Sequence, residues 1–420
     1  MSSAGSRLSR DVLLDYFLRA AVPRPAWRVG LEVEKMGRRL SDGRPIPYDG
    51  EAPTVRAVLD FIQERRGGQL VLEDGCPIGI DAPWGSISLE PGGQVEWSSP
   101  PYRELARLER ALAEHLQVLR EAGSSLGIAW LDEAVDPRHE VLDMPWMPKA
   151  RYRIMRDRLG ARGALAHRMM TQTASIHCAF DFADAADWAR KFRAAAVLAP
   201  VATAMFANSR RVDGADSGFH SFRQAIWRET DDDRCGLPPI VFEADFGIER
   251  WIDWVLDVPL LFRRRGPDLV LPDGSTFRQL LEGPAGHALE LEDWVTHCSS
   301  IFTQVRSYTY LEVRSADLQP DDRAFAVPAF WTGTLYGEAA LDAALDAGSG
   351  IDHAAWSAAM DSAARLGLGG RLGSRGLREV AAEALEHSRR SLRRGDRSEG
   401  DGGAALHLEA LASRLALPVG

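Results

Sequence analysis

Disulfide chemistry has little to work with in this chain. Its 420 residues include four cysteines, Cys76, Cys178, Cys235 and Cys298, scattered along the sequence. So sparse a set is no disulfide framework, and free thiols are expected. No apolar run approaches the roughly 18–20 residues that a bilayer span needs. The opening MSSAGSRLSR lacks the apolar core of a secretory signal. The expectation is a soluble cytosolic chain, ahead of a short organellar transit segment. Positive charge is in deficit as well. The formal charge is −10 and the pI near 5.6, which argues against a nucleic-acid or anionic-membrane partner despite the arginine-dense stretch at 151–168. There is also no GxxxxGK[ST], so this is not a P-loop enzyme.

What the chain has is length enough for a large core, as one big domain or two intimate ones, with no internal repeat and no clear boundary. Apolar periodicity predicts helices over 8–21, 52–66, 102–126, 150–159, 164–171, 246–264 and 276–282. The segment 183–209 reads as a helical pair broken at Pro200. Strands are predicted in WRVGLEVEKMG, near 69–73, 78–81, 86–90 and 94–97, in TASIHCAFDF, and as one strand over 306–317. Beyond 329 the pattern is helical, with an exposed charged linker at 390–403 before a last helix at 404–415.

Four of these strands share an oddity. In SISLEPGGQVEW (86–97), Ile87 and Leu89 alternate with Ser86, Ser88 and Glu90, and Gln94 and Glu96 resume the polar row after a Pro-Gly-Gly turn. In RVGLEVEK the valines and Leu31 alternate with Glu32 and Glu34, whose Cα atoms stand roughly 6.6 Å apart. TASIHCAF sets Thr173, Ser175 and His177 opposite Ile176, Cys178 and Phe180, and YTYLEVRS does the same with Tyr310, Glu312 and Arg314. One such row is an ordinary solvated sheet face. Four are not, because glutamate is depleted in strands. Carboxylates gathered on one concave face repel unless cations lie between them, and hard oxygen donors suit Mg²⁺ or Mn²⁺ rather than zinc. That donor set suits phosphate chemistry.

Long ordered stretches then carry a resemblance: GLEVEKMG, SISLEPGGQVEWS, MPWMPKARYRIMRDRL, KFRAAAVLAPVATAMFANS, GFHSFRQAIWRETDDDR, DVPLLF, YLEVRSAD and VPAFWTGTLY. Nearly end to end, the chain resembles the plant-type glutamate–cysteine ligase family. The resemblance implies an α+β, glutamine-synthetase-like fold, a curved and mainly antiparallel sheet funnel packed with helices, as one catalytic domain. It implies Mg²⁺-ATP and phosphorylation of the glutamate side-chain carboxylate before an amine attacks. Glu32, Glu34, Glu90, Glu96 and Glu312 match the acidic metal and nucleotide set, with Glu312 and Arg314 as the catalytic pair and Arg314 a clamp on the phosphoryl group. Arg151 and Arg223 match arginines that hold glutamate, whose carboxylate suits a guanidinium fork. Trp227, Asp231 and Arg234 lie in the same block. The departures fall elsewhere. His177 stands for a glutamine and Ala179 for an asparagine, RSADLQP replaces RGADGG, and Leu261 replaces a tyrosine of the cysteine pocket. The expected function is an ATP-dependent γ-glutamyl ligase with cysteine as the amine. The alternatives are another amine, favoured by Leu261, Leu318 and Gln319, or an inactive binding homologue. The expected partners are small molecules, glutamate, an amine and ATP, with no nucleic acid and no membrane.

Overall fold

The computed structural model describes residues 8–416, apart from 52, 266–267, 271–273, 284–288 and 396–398. Its centre is one eight-stranded sheet. In chain order the strands are β1 (Val29–Lys35), β2 (Gln69–Glu73), β3 (Cys76–Ala82), β4 (Gly85–Leu89), β5 (Val95–Ser98), β6 (Ser175–Phe180), β7 (Val305–Ser307) and β8 (Leu311–Asp317). Their order across the sheet is β7-β8-β6-β1-β5-β4-β3-β2, and every neighbouring pair is antiparallel. Strands from distant parts of the chain meet at the centre, where β1 is flanked by β5 and β6.

The alternation read in the sequence sets the two faces. Val29, Leu31, Val33, Ile87, Leu89, Val95, Trp97, Ile176, Phe180, Leu311 and Val313 are all buried, within 2 % of full burial. That row packs under helices α1 (Val55–Arg66), α2 (Leu105–Leu126), α4 (Ala185–Met205) and α6 (Ala326–Tyr336). Burial of a row this long is the main source of cohesion, at about 25 cal/mol per Å² of apolar surface. Helices α3 (Ala150–Gly160) and α5 (Phe222–Arg228) bring side chains to the opposite, polar face.

Three expectations are corrected. The region 306–317 is a hairpin and not one strand: β7 and β8 are joined by a turn in which Tyr308 N–H donates to Tyr310 C=O at 2.8 Å, and Arg306 pairs in register with Glu312. No Gly, Asn or Pro marks that turn, so the sequence hides it.

Helix α4 runs unbroken through Pro200. The missing proline N–H strips the Ala196 carbonyl of its helical donor, and Trp356 Nε1 donates to that carbonyl instead, at 2.7 Å. Trp356→Phe should therefore cost about 1–3 kcal/mol, the penalty of a buried orphan acceptor. Pro200→Ala restores a backbone donor, so the cost of Trp356→Phe should shrink in that background. A double-mutant cycle by denaturant unfolding checks this, and an equal cost in both backgrounds would contradict it.

The described parts of 390–403 are not a linker but pieces of packed structure. Arg390–Arg394 close helix α7 (Leu377–Arg394), where Ser391 and Leu392 are buried. Gly333 and Gly337 leave no room for a Cβ against Ser388 and Ser391, so helix α7 lies close on helix α6. Asp401 is buried and accepts from Leu105 N–H at the start of helix α2, at 3.1 Å. The arginines that suggested a solvated run form ion pairs, Arg390 with Glu386 and Arg393 with Glu409. Residues 396–398 of the expected linker lie outside the described residues.

Candidate active site

The polar face forms the floor of a cavity of about 190 Å³. Into it point Glu32, Glu34, Glu90, Glu96, Ser175, His177, Arg151, Arg223, Trp227, Arg306 and Arg314, with Tyr152 and Phe302 on its walls. Eight of the ten residues given a site role from the resemblance meet here, Glu32, Glu34, Glu90, Glu96, Arg151, Arg223, Trp227 and Arg314, together with Gln94, Thr173, Ser175 and His177 of the polar rows.

Strand register explains the acidic side. Glu34 lies opposite Glu96 and Glu32 opposite Ser98 in the β1–β5 pair, while Glu32 faces His177 in the β1–β6 pair. Glu90 sits at the end of β4, where its N–H donates to Gln94 C=O and Gly93 N–H returns to its own carbonyl, both at 2.9 Å. Gly93 takes φ +85°, and Gly92 leaves no space for a Cβ against the Thr171 backbone. Gln94 donates to the Met170 and Thr173 carbonyls, tying this hairpin to the cavity wall. Ser88 Oγ donates to Glu96 at 2.8 Å, Ser175 Oγ to Glu34 at 2.9 Å and Ser98 Oγ to Glu32 at 3.4 Å. Ser88, Ser98 and Ser175 are thus hydrogen-bond donors to the carboxylates.

The basic side faces them. Glu312 is 1 % exposed, and its Oε2 accepts from Arg306 Nε at 2.9 Å and Arg314 Nη1 at 2.8 Å. Glu312 is thus a floor residue beneath the cavity that fixes two guanidinium groups. Arg223, also buried, lies 3.8 Å from Asp317 and donates to the Arg314 carbonyl at 3.4 Å. Asp317 is itself held by Ser209 Oγ, Ser221 Oγ and Asn208 N–H. The Arg151 guanidinium lies over the rings of Tyr152 and Phe262, 5.9 and 5.6 Å from their centroids, and its buried Nε has no hydrogen-bond partner among the described residues. Arg223 Nε is buried and unpartnered too. A polar ligand reaching these atoms would satisfy both. Trp227 lies against Phe302, with Arg223 and Arg314 about 6 Å from its ring.

Some residues of the sequence argument are not brought to the cavity. Asp231 and Arg234 are buried in a 2.7 Å ion pair, and Arg234 also donates to Pro259 C=O, so this pair braces the chain behind the site. Leu261 is 4 % exposed and packs in the core. Leu318 is fully buried, and Gln319 donates to the Phe206 carbonyl. None of the three lines the cavity, so the argument from them to a different amine loses its footing. Conversely, Arg306, Tyr152 and Tyr308 line the site without having been singled out. Only the arginine was within reach, had the 306–317 segment been read as a hairpin.

The carboxyls crowd one another. Burial and then Glu96 and Glu90 push Glu34 up to about 8. Burial and then Glu312 push Glu32 up to about 7, against the pull of Arg306 and Arg314. Glu96 is raised well above the ordinary carboxyl range by burial, Glu32 and Glu90. Glu312 is the exception: burial acts to raise it, yet Arg306 and Arg314 hold it below the ordinary value. His177 is held neutral by burial and by Arg314. From the ordinary 4.5 to about 8, the folded chain keeps protons that the unfolded chain has released, so stability falls as pH rises through that window. Metal-free protein should therefore melt at lower temperature at pH 8.5 than at pH 6, with Mg²⁺ or Mn²⁺ restoring the loss. Thermal scans that give one melting temperature at both pH values would contradict the crowding.

Hard oxygen donors on one side and guanidinium groups on the other make a site for a divalent cation, phosphate and a carboxylate substrate. The model of glutamate–cysteine ligase family 2 matches residues 28–417. The chain belongs to that family. It is an ATP-dependent ligase. It is 40% identical over 343 residues to the chloroplastic glutamate–cysteine ligase of Medicago truncatula, covering 81% of this chain and 67% of that one. Those of Brassica juncea and Arabidopsis thaliana are each 39% identical over 81% of this chain, covering 66% and 65% of their own lengths. The matched part thus spans about two thirds of these relatives. Their chloroplast location overturns the expectation of a cytosolic chain. Among solved structures, a glutamate–cysteine ligase from Francisella tularensis in complex with AMP shares the fold of this ligase. Its TM-score is 0.52 at 12% identity, over 92% of this chain and 82% of that one. The expected α+β fold with a largely antiparallel sheet under helices is the one found.

Proposed function

We propose that this ligase joins the γ-carboxylate of glutamate to the amine of cysteine at the expense of ATP, the first committed bond of glutathione. The observation that carries the reading is the polarity of one cavity, with Glu32, Glu34, Glu90 and Glu96 facing Arg151, Arg223 and Arg314. Arg151 and Arg223 bind glutamate through its carboxylates, their unpartnered Nε atoms offering donors. Trp227 closes the side of that pocket. A glutamate γ-carboxylate oxygen attacks the terminal phosphorus of ATP, ADP leaves, and an acyl phosphate results. The cysteine amine then attacks the acyl carbon, phosphate departs and the amine proton is lost.

Glu34, Glu90 and Glu96, with Glu32, would hold Mg²⁺ or Mn²⁺, and their crowding fits a cation better than water. When bound, such a cation neutralises charge on the phosphate oxygens. Arg314 presents a guanidinium to the phosphoryl group as it transfers, and Glu312 fixes that guanidinium. Arg306 shares the same carboxylate and adds a second positive charge. Incubation with glutamate, Mg²⁺-ATP and a panel of amines, followed by product mass and phosphate release, tests the proposal. The expected leading product is γ-glutamylcysteine. Phosphate release that ignores cysteine and follows another amine would overturn the acceptor assignment.

A further inference from the structure

Helix α3 carries Arg151 in its first turn yet brings no cap of its own. Lys149 stands at the N-cap and supplies no side-chain acceptor. The acceptor arrives from the far edge of the sheet. Glu73, the last residue of edge strand β2, accepts from Ala150 N–H through Oε1 at 2.5 Å, across 77 positions of chain. Asp74 and Gly75, at φ 50° and 77°, close the β2–β3 hairpin as a two-residue turn, which pairs Glu73 with Cys76 and fixes it at the hairpin tip. On its other side the start of α3 is moored to the β4–β5 hairpin. Lys149 Nζ and Tyr152 Oη both donate to Leu89 C=O, at 2.7 and 2.6 Å, and Met147 N–H donates to Pro91 C=O at 2.9 Å. Arg151 itself has less to hold it. Its guanidinium rests on the Tyr152 and Phe262 rings, and its Nε has no hydrogen-bond partner among the described residues. Where that guanidinium points therefore depends on where the first turn of α3 lies.

We infer that Glu73 is a positioning residue for the substrate glutamate, acting through helix α3 on Arg151. The inference rests on the ligase reading above, which gives Arg151 a substrate carboxylate and Glu73 no part. Glu73 does not line the cavity. Its carboxylate satisfies an N–H that helix geometry leaves without an internal partner, and its charge lies at the positive end of the helix. Without it, the first turn keeps only its mooring to the β4–β5 hairpin, and the guanidinium fork loses its fixed direction. A two-pronged contact with a carboxylate depends on that direction more than a point charge would. The loss should fall on glutamate and spare ATP, because Glu34, Glu90 and Glu96 come from β1 and the β4–β5 hairpin and not from α3.

The test is titration calorimetry of glutamate into the full-length protein with Mg²⁺ and without ATP or amine. Glu73→Ala should weaken glutamate binding about tenfold. Glu73→Gln keeps an acceptor oxygen and should recover most of that loss. Ala150→Pro removes the donor instead. Proline suits the first helical position, and Lys149 before it is already extended, so the helix should stay while affinity falls as in Glu73→Ala. In an Arg151→Ala background, Glu73→Ala should add little, because its effect passes through that guanidinium. In steady state the KM for glutamate should rise by the same factor, with kcat and the KM for ATP nearly unchanged. Wild-type glutamate affinity in Glu73→Ala or Ala150→Pro, or losses that simply add in the double variant, would overturn the inference. Glutamate binding that follows this pattern in a protein that forms no γ-glutamyl product would strike at the ligase reading alone.

Discussion

Glu34→Ala and Glu90→Ala should each reduce ATP-dependent ligation on the order of a thousandfold, because a lost cation contact removes several kcal/mol of charge stabilisation in phosphoryl transfer. The two side chains reach the cavity from different elements, Glu34 from the central strand β1 and Glu90 from the turn after β4. Equal losses at both would mark a shared ligand function and not a local packing defect. The fold should survive. Burial, Glu96 and Glu90 hold the Glu34 carboxyl well above its ordinary range, so removing it relieves repulsion in the metal-free protein. Glu34→Ala should therefore melt no lower than the parent at pH 8 without metal while being nearly inactive with it. Steady-state rates and melting curves on the same preparations check both halves. Near-normal turnover of either variant at ordinary Mg²⁺ would refute the assignment of this face to the cation.

Arg151→Ala should raise the KM for glutamate roughly tenfold to hundredfold, the effect of losing one charge-assisted carboxylate contact of about 1.5–3 kcal/mol, and leave the KM for ATP nearly unchanged. Arg151 suits the test because its guanidinium rests on the Tyr152 and Phe262 rings and, among the described residues, it forms no ion pair of 4.0 Å or less. Arg223 differs. It is buried 3.8 Å from Asp317, whose carboxyl burial already pushes upward, so Arg223→Ala strands a buried acid and should also destabilise the fold. Arg223→Lys keeps the charge and loses the fork. It should show the same selective loss of glutamate affinity with less loss of stability. Both KM values measured across the three variants decide the matter. A selective loss of ATP affinity would move both arginines to the nucleotide.

The site was legible wherever strand alternation fixed it. Period two puts Glu32 and Glu34 on one face whatever the neighbours are, and three further strands with the same oddity gave that face its chemistry. What the alternation could not give was register. That Glu34 meets Glu96 and Glu32 meets His177 follows from pairings between distant segments. Arg306 stayed hidden for a similar reason. It enters the site through a hairpin whose turn, Tyr308-Thr309-Tyr310, carries no turn residue. Pro200 misled because its broken hydrogen bond is repaired by Trp356, 156 positions along the chain. The charge-rich end of helix α7 misled because its arginines find partners on the helix itself and on Glu409. Leu261 misled in another way, since a residue-for-residue comparison carries no information on which side of the wall a side chain lies, and here it lies in the core.

Oxygen transfer tests the central claim most directly. Glutamate labelled with ¹⁸O in its γ-carboxylate is incubated with cysteine and Mg²⁺-ATP, and the released phosphate is weighed by mass spectrometry. If the carboxylate is activated as an acyl phosphate in this cavity, one ¹⁸O passes into each phosphate as γ-glutamylcysteine forms. Phosphate that carries no label while the dipeptide accumulates would contradict the account.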